Sequence, residues 1–226
     1  MTTAGYQVLV YSRTNGYRHD CIPAGVAALR ELAVDGGFTV DATEDPAAFA
    51  PANLARFRVV VFLNTNGTVL DVGGRAALEA YVRDGGGFVG VHSAAATEYD
   101  WPFYGRLLGA YFDRHPEVQP AVVRVADPDH PATAGLPSVW PRTDEWYDYR
   151  TRPPSTARIL LTVDESTYTG GGMGAEHPIA WCHEPVGGRS FHTGLGHTVE
   201  SYAEPGVRDH LAGGIRWAAG RPGRSG

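Results

Sequence analysis

Four short apolar runs alternate with segments of helical periodicity over the first 100 residues, and this alternation constrains the fold more than any other feature. The third run, RVVVFL at 58–63, is apolar on both faces, which is typical of a parallel strand covered by helices on both sides. Between the runs, apolar residues recur at helical spacing over 22–33 and 71–83. The pattern predicts an α/β fold with a parallel sheet and right-handed crossovers. The other predicted strands are 6–11, 38–42 and 88–91.

The second half of the chain has a different pattern. A helix is predicted at 104–111, and a Pro-, Trp- and Tyr-rich stretch at 137–154 interrupts the strand signals. A length of 226 residues suits one domain, so we expect a single domain over 1–220 and a flexible tail at 221–226. The remaining predicted elements are strands at 118–126, 158–163, 178–182 and 189–192 and a final helix at 206–219.

No residue of the chain is lysine, and all 19 basic residues are arginine. Schiff-base chemistry, pyridoxal phosphate attachment and a P-loop lysine are therefore excluded. The net charge of −6 and the lack of a basic run argue against a nucleic-acid partner. Residues 1–10 lack a signal-peptide pattern, and no apolar run is long enough to cross a membrane, so we expect a cytoplasmic protein without a membrane partner.

Cys21 and Cys182 are the only cysteines in the sequence. Two thiols form neither a disulfide framework nor a CxxC metal knuckle. Cys182 ends the apolar run IAWC at 179–182, so we expect a buried and unreactive thiol there.

Polar side chains follow the carboxyl ends of four predicted strands. In open α/β sheets, ligand sites form at that edge, because the strands deliver their following loops to one place. Four segments of this kind predict a common pocket. The residues are Arg13 and His19 after the first strand, Asn64 and Asn66 after the third, His92 and Ser93 after the fourth, and His197 after the last.

The turn GVHSA at 90–94 resembles a nucleophile elbow, in which a strand turns sharply into a helix and presents one side chain to the cleft. The residue at the apex is His92, and Ser93 comes one position late. This arrangement disfavours a Ser-His-Asp triad. The alternative interpretation is that the His92 side chain only binds backbone groups.

Three histidines directly precede proline, which favours an extended or turn conformation. We expect His130 to lie in a surface turn. His115 and His177 adjoin aromatic and Gly-rich segments, and for them we favour a role in the site.

Two carboxylates, Asp144 and Glu145, stand directly before Trp146 and Tyr147. Adjacent carboxylates can simply cap a loop. Carboxylate oxygens beside aromatic rings also suit a sugar, because its hydroxyls need acceptors and its C–H faces pack on rings.

Nine histidines and several carboxylates offer ligands for a zinc or iron ion. The sequence contains no HExxH or HxH spacing, so a metal site would have to be assembled from distant segments. We therefore expect no required cofactor and no metal ligands, with a zinc or iron site as the less favoured alternative.

Eight segments in order along the chain together resemble the trehalose-utilisation (ThuA-like) family. The resemblance implies a fold similar to class I glutamine amidotransferases, a flavodoxin-like three-layer α/β sandwich with a mainly parallel sheet. Amidotransferases carry cysteine at the elbow apex, where this chain has His92, so glutaminase activity through a thiolate is not expected. The segments are GYRHD (16–20), GGFVGVHSA (86–94), WPFYGRLLGAYFDRHP (101–116), DHPATAGL (129–136), DEWYDY (144–149), HPIAW (177–181), GRSFHTGLGH (188–197) and HLAGGIRWA (210–218).

The resemblance also implies a role in carbohydrate metabolism, with a disaccharide, a glycoside or its 3-keto derivative as ligand and a metabolic link to a sugar dehydrogenase. We expect an enzyme that uses His92 and His115 as base and acid, with Glu145 orienting them or sharing the proton transfer and His197 polarising a ligand oxygen. The alternatives are a non-catalytic sugar-binding or regulatory module and a metal-dependent hydrolase; a homodimer is compatible with the sequence. The expected substrate-binding residues are Arg13, His19, Asn64, Asn66, Ser93, Asp144, Tyr147 and His177.

Overall fold

Nine strands pair into one central sheet in the computed structural model of the chain, which describes residues 5–220. A further pair of short strands forms a separate two-stranded sheet. The predicted tail at 221–226 lies outside the described residues. The strands are β1 (Tyr6–Tyr11), β2 (Phe38–Thr43), β3 (Val59–Leu63), β4 (Gly87–Val91), β5 (Phe112–Arg114), β6 (Gln119–Val125), β7 (Val139–Asp144), β8 (Asp148–Tyr149), β9 (Arg158–Asp164), β10 (His177–His183) and β11 (Ser190–Thr193).

The α-helices are α1 (Ile22–Gly36), α2 (Pro51–Leu54), α3 (Val72–Arg83), α4 (Pro102–Leu108) and α5 (Pro205–Ala219). Local sequence sets their ends. The Asp71 side chain caps α3 by accepting from the Gly74 backbone N–H at 2.7 Å. Helix α1 ends at Gly37, whose φ of +69° is the left-handed conformation that glycine adopts without strain. No helix among residues 5–220 is long and apolar enough to cross a membrane.

The central sheet runs in the order β2-β1-β3-β4-β11-β10-β9-β6-β7. Strands β2, β1, β3, β4 and β11 pair in parallel and form what we term the parallel half. Their order follows the 2-1-3-4-5 arrangement of flavodoxin-like sheets. Every residue of β3 and β4 is buried, as expected for strands covered on both faces.

The other four strands, β10, β9, β6 and β7, pair antiparallel and form the antiparallel half. The sheet is therefore mixed, and the prediction of a mainly parallel sheet is right only for the parallel half. The reason lies in the connections between strands. A parallel pair needs a crossover connection, which is usually a helix, and residues 109–204 contain no α-helix.

The Pro-, Trp- and Tyr-rich stretch contains regular structure that the sequence analysis missed. Strand β7 alternates exposed and buried residues, but Pro141 within it obscures the strand signal, and β7 tolerates a proline because it lies at the sheet edge. Strands β5 and β8 are too short to give a periodic pattern, and they pair antiparallel with each other. The predicted helix at 104–111 begins earlier and is α4.

His130 begins a turn, as predicted, because the backbone N–H groups of Thr133 and Ala134 donate to its carbonyl oxygen, but the predicted surface position is wrong. The residue is fully buried, and its Nδ1 accepts from the Ala132 backbone N–H at 3.1 Å. The ring contacts the Cys182 thiol, with 3.6 Å between Nε2 and Sγ. Its polar atoms are satisfied inside the core, which a local His-Pro pattern could not indicate.

Candidate functional site

Four side chains from four separate segments each place one imidazole nitrogen or carboxylate oxygen within 4.8 Å of the corresponding atoms of the other three. The residues are His19, His92, Glu145 and His197. We call them the His/Glu cluster. His19 precedes α1, His92 follows β4, Glu145 follows β7 and His197 follows β11. The cluster thus lies beyond the carboxyl ends of β1, β4 and β11, the sheet edge at which the sequence predicted a pocket.

His92 stands at the turn that ends β4 and begins the 3-10 helix His92–Ala96. Its φ of +50° is in the left-handed region, which non-glycine residues adopt at a cost and which is concentrated at functional turns. The ring is fully buried, and the Tyr147 ring packs on it with centroids 4.2 Å apart.

A backbone carbonyl fixes the protonation pattern of His92. Its Nδ1 lies 2.7 Å from the carbonyl oxygen of Gly194, and because a carbonyl can only accept, Nδ1 carries the proton. In the neutral ring Nε2 then offers a lone pair. This atom lies 3.3 Å from Glu145 Oε2 and 3.2 Å from His197 Nδ1.

Glu145 is the carboxylate of the cluster, and its side chain is only 8% exposed. Its Oε2 lies 3.2 Å from His197 Nδ1, and its Oε1 lies 3.0 Å from His115 Nδ1. Within residues 5–220, no arginine lies within ion-pair distance of this carboxylate, and no backbone N–H donates to it. The carboxylate is thus surrounded by imidazoles alone.

The pKa shifts of the cluster follow from this arrangement. Burial would raise the pKa of Glu145, but hydrogen bonds to His197 and His92 and their charges outweigh it and hold the pKa well below its usual range. The hydrogen bond to Glu145 raises the pKa of His197. Burial, reinforced by the nearby imidazoles His92 and His197, lowers the pKa of His19 to about 3, so His19 is neutral at physiological pH.

His115 and Tyr147 reach the cluster through the small β5–β8 sheet, which brings the segments after Arg114 and before Asp148 together. The His115 ring stacks on the Tyr147 ring with centroids 5.8 Å apart. The His115 side chain is 39% exposed, the largest fraction among the residues around Glu145. His115 is therefore the group best placed to meet a solute.

Asp144 holds the backbone of the loop that carries His197. Its carboxylate is fully buried, lies 2.9 Å from Arg142 Nη2 and accepts from the backbone N–H groups of Gly196 and His197, each at 3.0 Å. It thereby fixes the loop that carries His197. The sequence analysis missed Arg142, because this residue lies in the unpredicted strand β7.

Ser93 and Tyr17 contact His19. The Ser93 hydroxyl lies 3.3 Å from His19 Nδ1, so Ser93 lies beside the cluster as predicted for a site residue. The Tyr17 ring is 66% exposed and packs edge-on against His19 with centroids 4.8 Å apart. Tyr17 follows the first predicted strand together with Arg13 and His19 but is not among the expected binding residues, and only the structure reveals its exposure.

The side chains of Arg13, Asn64 and Asn66 do not join the cluster. Arg13 Nη1 donates to the Glu44 carbonyl oxygen at 3.5 Å. The Asn64 amide binds Gly196 O at 3.1 Å and accepts from the Tyr202 hydroxyl at 2.8 Å, and Asn66 Oδ1 accepts from the Tyr17 N–H at 3.1 Å. Asn64 and Asn66 hold the loops that carry His197 and His19, and a substrate-binding role for the three stays a prediction.

His177 belongs to a second group, with Asp148 and Glu165, which we call the Asp148 cluster. Its Nε2 donates to the Tyr147 carbonyl oxygen at 2.8 Å, and its Nδ1 lies 3.1 Å from the Tyr168 hydroxyl and 2.9 Å from Glu165 Oε1. Burial lowers the pKa of His177. Its predicted role in sugar binding stays a prediction, and its described contacts are with protein groups.

The carboxylates of the Asp148 cluster receive protein donors. Glu165 Oε1 accepts from the backbone N–H groups of Met173 at 2.7 Å and Gly174 at 3.0 Å. Asp148 accepts from Arg114 Nε at 3.0 Å and from the Gly172 N–H at 3.1 Å. These contacts fasten the Gly-rich loop 170–174.

Neither cysteine is a nucleophile at this site. Both thiols are buried, and burial raises the pKa of Cys21 and of Cys182 to about 12. The unreactive character predicted for Cys182 agrees with this environment.

The sequence matches a family model described as ThuA, trehalose utilisation, over residues 7–218. A search of curated proteins finds no match. A ThuA-like protein from Bacteroides uniformis ATCC 8492 has 24% sequence identity, with 94% of this chain and 91% of that chain covered and a TM-score of 0.79. A ThuA-like protein from Parabacteroides merdae ATCC 43184 has 24% identity, with 96% and 90% covered and a TM-score of 0.79. A cytoplasmic protein from Salmonella typhimurium has 13% identity, with 93% and 98% covered and a TM-score of 0.65.

Proposed function

Because this chain belongs to the ThuA family of trehalose utilisation, we propose that it is an enzyme that acts on a disaccharide, a glycoside or its 3-keto derivative. The observation that carries the proposal is the surroundings of Glu145. A buried carboxylate contacts three imidazoles, His92, His115 and His197, at the sheet edge where ligand sites form. Such a group of proton-carrying side chains suits acid-base chemistry.

The chemistry follows from the acidity of a C–H bond beside a ketone. A base removes that proton, and the electron pair moves onto the ketone oxygen to give an enediolate. In isomerisation, the former ketone carbon takes up a proton, and the hydroxyl on the deprotonated carbon loses its proton and becomes the new ketone. In elimination, the electron pair returns from the enediolate oxygen, a C=C bond forms to the next carbon, and the glycosidic oxygen leaves with its bonding pair and takes a proton from the acid. Imidazole suits both steps because its pKa lies near working pH.

Exposure assigns roles within the group. His115 is the most exposed imidazole and is the residue that we assign to proton transfer with the sugar. His92 is fully buried, so we assign its Nε2 to the interaction with Glu145 and not to direct proton transfer with the sugar. The partly exposed His197 polarises the ketone oxygen. The exposed ring of Tyr17 offers an apolar face for the C–H side of the sugar.

A ketone substrate requires a preceding oxidation of a ring hydroxyl. We therefore place a sugar dehydrogenase before this enzyme in the reaction sequence. The two proteins are linked by a metabolite and need no common surface.

The test is turnover of 3-keto-glucosides by His115→Gln, with His130→Gln as the matched control from another His-Pro pair. We expect about a 100-fold loss of kcat in H115Q, the usual size of a lost acid-base group, and less than about a threefold change in H130Q. Equal turnover by H115Q and the unmodified chain would contradict the assignment. Binding of the sugar without product from any form of the protein would favour a non-catalytic module.

A further inference from the structure

We propose that the His/Glu cluster is a binding site for one divalent transition-metal ion, with His92 Nε2, His197 Nδ1 and Glu145 Oε2 as ligands and His19 as a fourth. This inference replaces the expectation from sequence that no metal is required. Any use of the ion in catalysis rests on the proposed function, but the binding of the ion does not.

The distances among the three ligand atoms are the first argument. They form a nearly equilateral triangle with sides of 3.2, 3.2 and 3.3 Å. Charge-assisted hydrogen bonds are shorter, about 2.7–2.9 Å. Ligands bound at about 2.0–2.1 Å from a tetrahedral zinc ion are separated by about 3.3–3.4 Å. The triangle therefore matches one face of a coordination tetrahedron better than a set of hydrogen bonds.

The orientation of His92 is the second argument. Its Nδ1–H is bound to the Gly194 carbonyl oxygen, so its lone pair at Nε2 is aimed at Glu145 and His197. A histidine that binds a metal characteristically donates its other N–H to a carbonyl or carboxylate, which fixes the ring and its tautomer. His92 has this arrangement within the fold.

The charge of Glu145 is the third argument. A buried carboxylate needs a positive partner, and within the described residues the ion-pair partners of Glu145 are all imidazoles. The fourth ring, His19, is buried and places a nitrogen within 4.8 Å of the other three ligand atoms. A divalent cation would neutralise the carboxylate and bind one nitrogen lone pair of each ring.

The donor set indicates which metals fit. Three imidazole nitrogens and one carboxylate oxygen suit Zn²⁺, Fe²⁺, Co²⁺ or Mn²⁺, whereas Mg²⁺ and Ca²⁺ prefer oxygen ligands. If the proposed function holds, an ion held by His197 would take over from this ring the polarisation of the ketone oxygen of the sugar, beside His115.

The test is metal content and affinity, measured on the full chain without any sugar. The protein is stripped with a chelator, dialysed against Zn²⁺, Co²⁺, Mn²⁺ or anaerobic Fe²⁺, and analysed by mass spectrometry of the metals. We expect about one ion per chain and, for Co²⁺, visible absorption bands of a low-coordinate site.

Two variants at the site and one control sharpen the test. Glu145→Gln keeps the shape of the side chain, and His197→Gln replaces a ring that is partly exposed. At least one of the two variants is therefore expected to fold, which circular dichroism checks. We expect each to weaken binding at least about 100-fold, whereas Glu165→Gln in the Asp148 cluster keeps full affinity.

Failure of the unmodified chain to retain any of these ions would overturn the metal site, as would unchanged affinity in folded E145Q and H197Q. A chain that binds one ion but turns over no sugar would keep the metal site and remove the proposed function. Sugar turnover by fully metal-free protein would keep the function and exclude a catalytic ion.

Discussion

The His/Glu cluster and the Asp148 cluster contain the same kinds of residue in equally tight groups, yet their surroundings differ. In the Asp148 cluster, Arg114 and a backbone N–H group donate to Asp148, and two backbone N–H groups donate to Glu165. In the His/Glu cluster, every ion-pair partner of Glu145 among residues 5–220 is an imidazole. The comparison teaches that residue type and proximity do not make a site. What matters is whether lone pairs and charge are left over after the protein has formed its own hydrogen bonds.

The two clusters also differ in what they hold together. The Asp148 cluster fastens the loop 170–174 onto β8 and is a structural clamp. The His/Glu cluster joins loops from both halves of the sheet at one edge, and its own clamp is the separate carboxylate Asp144. Under the proposed function, Asp144 has a structural task and Glu145, its neighbour in sequence, a chemical one.

The largest difference between the clusters is expected in turnover. Glu145→Gln removes the charge that the three imidazoles share, so we expect kcat on 3-keto-glucosides to fall at least about 100-fold. Glu165→Gln removes a charge of the same kind from the clamp, and we expect kcat to change less than about threefold per folded molecule. Steady-state kinetics on both variants checks this. Similar losses in the two would show that the clusters are not functionally distinct.

A smaller difference is expected between Asp144 and Asp148, in how far the free energy of unfolding falls when each carboxylate is replaced. Asp144→Asn leaves the guanidinium of Arg142, whose side chain is 2% exposed, with less compensation in the protein, at a cost of about 3 kcal/mol. Asp148→Asn frees Arg114, whose side chain is 63% exposed and is readily hydrated, at a cost of about 1 kcal/mol. Urea unfolding of both variants gives the comparison. A larger loss in D148N than in D144N would reverse our assignment of the stronger clamp.

The last effect concerns pH and the buried histidines outside the His/Glu cluster. Burial lowers the pKa of His130 and of His210 to about 4, while the unfolded chain binds these protons near pH 6.5. The unfolded state therefore binds more protons than the folded state below pH 6.5. We expect the free energy of unfolding to be highest above pH 6.5 and to decrease as the pH falls from 6.5 to about 4.

The measurement is urea unfolding at several pH values, with His130→Gln as the comparison. Removing this histidine is expected to flatten the decline between pH 6.5 and 4. The same slope in H130Q and the unmodified chain would mean that His130 does not carry it.

Much of the fold could be predicted from the sequence, and the missing parts have physical reasons. The parallel half was predicted because apolar runs and helical spacing are local signals that survive in any context. Strand β7 was missed because a proline is compatible with a strand only at a sheet edge, and edge position is a tertiary property. The strand ends identified one sheet edge and so grouped His19, His92, Ser93 and His197, together with Arg13, Asn64 and Asn66, whose side chains do not join the cluster. Glu145 was singled out by its place before Trp146 and Tyr147 and not by a predicted strand end.

The sequence by itself determined which chemistry the chain can use. It contains histidines and carboxylates but no lysine, and it places His92 rather than cysteine at the turn after the fourth strand. Only the tertiary structure decided that Asp144 pairs with Arg142 and accepts from backbone N–H groups, whereas Glu145 pairs with imidazoles. The two carboxylates are neighbours in sequence, and the partners that distinguish them come largely from segments far along the chain. The balance of donors around a buried charge is therefore set by packing and not by local pattern.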